Sequence, residues 1–156
     1  MKKTLDKILR KLGWIKPKPQ PQVTHEDEVI FKIQENLIFQ VYWKSLHVGT
    51  GPAVILKAFG QEILKFDCFG KEKGHYHIAP NYEFRIYFVE ETVSEQIKRT
   101  IKELETNGLR YLKMQRDPRI KALDLNTSSY TEVLKLVEST LIQYHENLLL
   151  IKPDSY

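Results

Sequence analysis

The stretch from Phe66 to Ile78, Phe-Asp-Cys-Phe-Gly-Lys-Glu-Lys-Gly-His-Tyr-His-Ile, gathers the side chains of this chain best suited to chemistry. It holds a carboxylate at Asp67, imidazoles at His75 and His77, and lysines at Lys71 and Lys73 between Gly70 and Gly74. If residues 70 to 74 form a hairpin loop, Phe69 lies opposite His75 and Asp67 opposite His77, because antiparallel partners keep a constant index sum. Side chains alternate across a strand, so Asp67, His75 and His77 project from one face and Phe66, Cys68, Tyr76 and Ile78 from the other. The second set reads as core, which makes Cys68 a small buried hydrophobe rather than a nucleophile. On the next strand Phe84, Ile86 and Phe88 continue the apolar parity, while Arg85 and Tyr87 take the polar one.

Two imidazoles, a carboxylate, a guanidinium and a phenol on one sheet face suit phosphodiester chemistry without a metal. One neutral imidazole can take a proton from a ribose hydroxyl, and a second, protonated, can donate to the leaving oxygen, both close to an unperturbed pKa of roughly 6.5. Arg85 would meet the added negative charge with paired donors, Asp67 would fix the tautomer of His77, and Lys71 and Lys73 would hold a phosphate. The expected catalytic set is therefore His75, His77, Asp67, Arg85 and Tyr87, with no metal and no cofactor. His-x-His with a carboxylate can also supply three metal ligands. No fourth ligand is evident, however, and the lysines on both sides of Glu72 disfavour a cation. His25, His47 and His145 stand alone in the sequence and read as surface or structural residues, while Phe39, Tyr42 and Trp43 read as core or sheet edge.

The elements that must position this cluster follow from hydrophobic period and turn chemistry. Short runs rich in β-branched and aromatic residues predict strands near 28–34, 37–46, 53–59, 62–69, 75–79 and 84–89. Turns are expected at Gly49-Thr50-Gly51-Pro52, Gly60-Gln61 and Pro80-Asn81. Thr92-Val-Ser-Glu95 has capping-box spacing and starts a helix with Val93, Ile97, Ile101 and Leu104 on one face, which Asn107-Gly108 is expected to end. A second such box, Ser129-Tyr-Thr-Glu132, starts a later helix. Strands first and helices afterwards predict an α+β domain over residues 25–156, an antiparallel β-meander with two or three helices packed on one face.

Ahead of it, Leu5, Ile8, Leu9 and Leu12 recur at helical spacing among bases, with Trp14 extending the stripe. Residues 1–15 thus read as a detached amphipathic helix, and the alternating prolines of residues 16–24 as an extended spacer. The formal charge of +4 hides a segregation: residues 1–18 carry seven bases against one acid, and residues 98–121 carry eight against three. Lys98, Arg99, Lys102, Arg110, Lys113 and Arg116 are accordingly candidates for contact with nucleic acid. Leu5, Ile8, Leu9, Leu12 and Trp14 are candidates for docking to a protein partner or to an anionic membrane surface.

With 156 residues, 42% of them hydrophobic, the chain can bury one core without disulfides or a structural metal. Its single cysteine excludes an internal disulfide framework, and no apolar run approaches the ~20 residues of a membrane span, so a cytoplasmic protein, membrane-peripheral at most, is expected.

The run from Asp67 to His77, ending Lys73-Gly-His-Tyr-His77 and followed by a strand and the helix from Val93, resembles the TumE-type toxins of bacterial toxin–antitoxin modules, or a related uncharacterised bacterial family. Over residues 62–105 that resemblance implies an RNA-directed toxin with an antitoxin partner, its roles carried onto Asp67, Lys73, His75 and His77. The chain departs from the pattern in lacking an aspartate between Gly74 and His75, and in adding the N-terminal helix, spacer and C-terminal helix. Two readings follow: a small ribonuclease-like protein, metal-independent if it is an enzyme, or a non-enzymatic adaptor that docks through its N-terminal helix.

Overall fold

The computed structural model describes residues 24–151. The amphipathic helix and its docking residues Leu5, Ile8, Leu9, Leu12 and Trp14 lie outside them. Six strands, β1 (Thr24–Gln34), β2 (Leu37–Leu46), β3 (Gly49–Ala58), β4 (Gln61–Asp67), β5 (His75–Ile78) and β6 (Ile86–Tyr87), form a sheet in the order of the chain. Every neighbouring pair is antiparallel. Three helices follow, α1 (Val93–Lys113), α2 (Pro118–Lys121) and α3 (Thr127–Ile151), and pack against one face. The architecture is the expected α+β meander. Among the described residues no helix is long and apolar enough to cross a membrane.

Alternation divides each strand between two environments. Phe39, Val41, Val54, Leu56 and Phe66 turn toward the helices and meet Ile97, Leu104, Val137 and Leu141, all buried in one cluster. Burying such side chains is worth about 1.5–3 kcal/mol each, which makes this layer the main source of stability. The opposite parity of β2 and β3 gives a second, smaller buried cluster of Tyr42, Ala53 and Ile55 on the face opposite α1 and α3. Phe39 and Tyr42 are therefore both core residues, on opposite sides of the sheet.

The start of α1 agrees with its spacing. Glu95 N donates to Thr92 Oγ1 at 3.2 Å, and Thr92 N donates to Glu95 Oε2 at 3.1 Å. Other local expectations yield to packing. The Gly49 to Pro52 segment lies within β3, and the chain turns before it, between Leu46 and Gly49. A Cβ at position 51 would stand 2.2 Å from the Cys68 carbonyl oxygen, so this glycine serves close approach of two backbones rather than a turn. Gly108 likewise does not end α1. A Cβ there would stand 2.2 Å from the Tyr130 hydroxyl, so its missing side chain admits the ring of α3. For α3 the capping group is Asn126, whose Oδ1 accepts from Ser129 N at 3.0 Å, three residues before the expected cap at Ser129.

The last strand is shorter than its sequence implies, with only Ile86 and Tyr87 paired. Phe88 packs against the core, but Phe84 and Ile86 are exposed. They line an open groove of about 270 Å³ with Ile78, Pro80 and Met114. The reason is position: β6 is the sheet edge, and among the described residues no helix covers its apolar side at Phe84.

Candidate active site

Strand register places the cluster. β4 and β5 pair as Asp67↔His75, Phe66↔Tyr76 and Lys65↔His77, two residues out of the expected register. Pairing with β5 ends at Asp67 rather than Phe69: Cys68 N still donates to Pro52 O of β3 at 3.0 Å, while Gly74 N closes the loop on Gly70 O at 2.9 Å. A shift of two preserves parity, so Asp67, His75 and His77 still share a face. Successive pairings then draw one row across the sheet: Tyr42, Ala53, Asp67, His75 and Tyr87.

Asp67 and His75 are almost fully buried, at 1% and 4% exposure, while His77 is half-buried. The two imidazole centroids stand 5.0 Å apart. Each Nδ1 faces a backbone carbonyl, His75 that of Lys73 at 2.8 Å and His77 that of Tyr82 at 2.7 Å. A carbonyl only accepts, so both rings carry the proton on Nδ1 and keep Nε2 free. Backbone thus fixes both tautomers, in place of the role expected of Asp67 toward His77. Burial first, then neighbouring positive charge, holds both imidazoles below their usual pKa of 6.5, against the pull of the carbonyls.

Asp67 has another partner. Lys44 of β2, itself buried, donates from Nζ to Asp67 Oδ2 at 2.7 Å, and His75 Nε2 stands 3.4 Å from the same oxygen. The other carboxylate oxygen, Oδ1, is buried and has no hydrogen-bond partner among the described residues, as is the case for the hydroxyl of Tyr42. Burial lowers the Lys44 pKa more than Asp67 raises it. His25 stacks on Tyr42 with centroids 4.1 Å apart, so it belongs to the covering of this face.

The loops are held by side chains that sequence spacing did not reveal. Gln96, buried on α1, accepts from Gly70 N at 3.0 Å and donates to Gly70 O at 2.9 Å and Glu90 O at 2.8 Å, which locks the loop bearing the His75 acceptor. Tyr82 stacks on His77 at 5.2 Å and donates its hydroxyl to Glu62. Parity alone puts Lys44 on the face of Tyr42, but only the strand order brings that face to Asp67.

Arg85 and Tyr87 arrive where expected. They border an open cavity of about 170 Å³ with Val48, Glu72, Lys73 and His75, and the Tyr87 ring lies 5.7 Å from that of His75. Lys71 is drawn aside to Glu91 at 3.1 Å, a surface pair of little strength. Cys68 is buried against Thr100, and burial pushes its thiol up to about 12, so it is no nucleophile at neutral pH.

The basic helix is not brought to this cluster. Lys98, Arg99, Lys102, Arg110 and Lys113 ride on α1, and Arg116 just after it, across the sheet from the histidines. Arg99 pairs with Glu103 at 3.0 Å and Lys102 with Glu105 at 3.7 Å. Lys113 donates to the carbonyls of Lys121 and Leu123 and so ties α1 to the α2 segment. Among the described residues, Lys98, Arg110 and Arg116 are the exposed bases of that set not engaged in such contacts.

Residues 33–141 match the model of a family described as a domain of unknown function, DUF7700. The chain belongs to this family. The match spans the whole polar cluster, from the end of β1 to the middle of α3. No curated protein and no solved structure matches the chain.

Proposed function

We propose that the face bearing Asp67, His75 and His77 is the active centre of a small RNA-directed phosphodiesterase of ribonuclease type. The observation that carries this reading is the matched orientation of two imidazoles 5.0 Å apart, each with Nδ1 committed to a backbone carbonyl and Nε2 left as the working nitrogen, His75 lining a cavity edged by Arg85 and Lys73. His77, the more accessible ring, takes the proton of a ribose 2′-hydroxyl as that oxygen attacks phosphorus. His75, whose protonated form the Asp67 carboxylate favours at 3.4 Å, gives a proton to the departing 5′-oxygen. The products are a 2′,3′-cyclic phosphate and a free 5′-hydroxyl. Arg85 and Lys73 bind the phosphoryl oxygens as charge builds on them, and Tyr87 offers an exposed ring for a base to stack on.

The resemblance of residues 62–105 to TumE-type toxins supports the same substrate class and adds an antitoxin as protein partner. The lone buried thiol favours action in the reducing cytoplasm. Incubation of purified protein with single-stranded RNA tests the proposal. Cleavage that persists in chelator and falls about 10²-fold or more in His77→Ala and Arg85→Ala, with melting unchanged, is expected. Wild-type protein that cleaves no RNA overturns it.

A further inference from the structure

We infer that Asp67, His75 and His77 also form a binding site for a divalent transition-metal ion of the zinc type. One ligand atom from each lies within 4.8 Å of the other two, and small side-chain rotations close such a set onto the about 3.3 Å edges of a zinc tetrahedron. Both rings donate Nδ1–H to a carbonyl, at 2.8 and 2.7 Å, the outer support that metal-ligating histidines ordinarily have and that orients Nε2 toward the ion. The carboxylate is supported in the same way: Lys44 occupies Oδ2 at 2.7 Å, while Oδ1 is buried with no partner among the described residues. His75 Nε2, an acceptor in this tautomer, faces the acceptor Oδ2 at 3.4 Å, and a cation shared by ring and carboxylate offsets that repulsion.

Two neutral nitrogens and one carboxylate oxygen select a borderline ion over calcium or magnesium, which prefer all-oxygen sites. Three protein ligands leave a fourth position open, on the side where His77 is half-buried. The lysines that argued against a cation in the sequence do not crowd the site: Lys71 pairs with Glu91 at the surface, and it is the Lys73 carbonyl that His75 engages.

An ion held by both Nε2 atoms occupies the nitrogens assigned above to proton transfer, so zinc is expected to inhibit RNA cleavage. That consequence rests on the proposed function; the binding does not.

Calorimetric titration of the metal-stripped full chain with zinc chloride, together with visible absorption of the cobalt(II) form, tests the site without RNA. One ion per chain and a cobalt ligand-field band are expected in wild type. His77→Ala should weaken binding at least tenfold and abolish the zinc-dependent rise in melting temperature, while His145→Ala changes neither. His75→Ala should match His77→Ala if it folds, and the half-buried His77 decides the matter if it does not. Absence of stoichiometric binding, or binding equally strong in His77→Ala, overturns the metal site even if RNA is cleaved. Zinc binding without any RNA cleavage leaves the metal site standing and overturns the phosphodiesterase.

Discussion

At the scale of single residues, the cluster is governed by what a buried charge requires. Asp67 sits on the face opposite α1 and α3, yet it is sealed by its neighbours, and Lys44 supplies the compensating charge at 2.7 Å. Removing one member of such a pair strands the other, which costs about 3–5 kcal/mol, whereas replacing both by apolar groups is nearly neutral. Lys44→Met is therefore expected to lower unfolding free energy by about 3 kcal/mol in urea titration, and Lys44→Met with Asp67→Leu to recover most of the loss. A single variant as stable as wild type would mean that water reaches Asp67 freely. Position 44 reads as an ordinary strand lysine, since the sequence shows its alternation and not its partner 23 residues away. The histidines were legible for the opposite reason, because they lie close to Asp67 along the chain and one hairpin decides their side.

Elements obeyed local signals where those signals were self-sufficient. The Thr92–Glu95 capping box involves two residues of one turn and forms as its spacing dictates. Gly108 shows the limit. Asn107-Gly108 has the composition of a helix end, but α1 continues to Lys113 because the space above the glycine belongs to Tyr130, whose hydroxyl also donates to Leu104 O at 2.8 Å. Gly108→Ala gains about 1 kcal/mol of helix propensity. It also drives a methyl into that hydroxyl, and overpacking of this kind costs about 1–3 kcal/mol. A lower melting temperature is expected for Gly108→Ala, partly restored by Tyr130→Phe, which removes the atom at 2.2 Å. A stabilised Gly108→Ala would show that the helices separate easily.

At the scale of the molecule, the sheet stands between two features that look allied in the sequence. The basic residues of α1 face outward from the helical layer, while the imidazoles occupy the other side, so an RNA held at both must wrap from one side of the sheet to the other. Charge reversal at Lys98, Arg110 and Arg116 together is expected to weaken RNA binding and to flatten its dependence on salt, since each lost phosphate contact removes released counterions. Turnover at saturating RNA should stay near wild type, in contrast to Arg85→Ala. Equal binding at all salt concentrations would assign the helix surface to plain solvation.

The sequence by itself determined the order of strands and helices, the parity of the His-x-His strand and the co-facing of Asp67 with both imidazoles. Those properties depend on alternation and survive even a two-residue change of register. Tertiary structure alone decided that Lys44 and Gln96 complete the site, that backbone carbonyls set the tautomers, and that the basic helix lies across the sheet. Each of these depends on which segments become neighbours in space, and that choice is made by burial summed over the whole chain rather than by any local pattern.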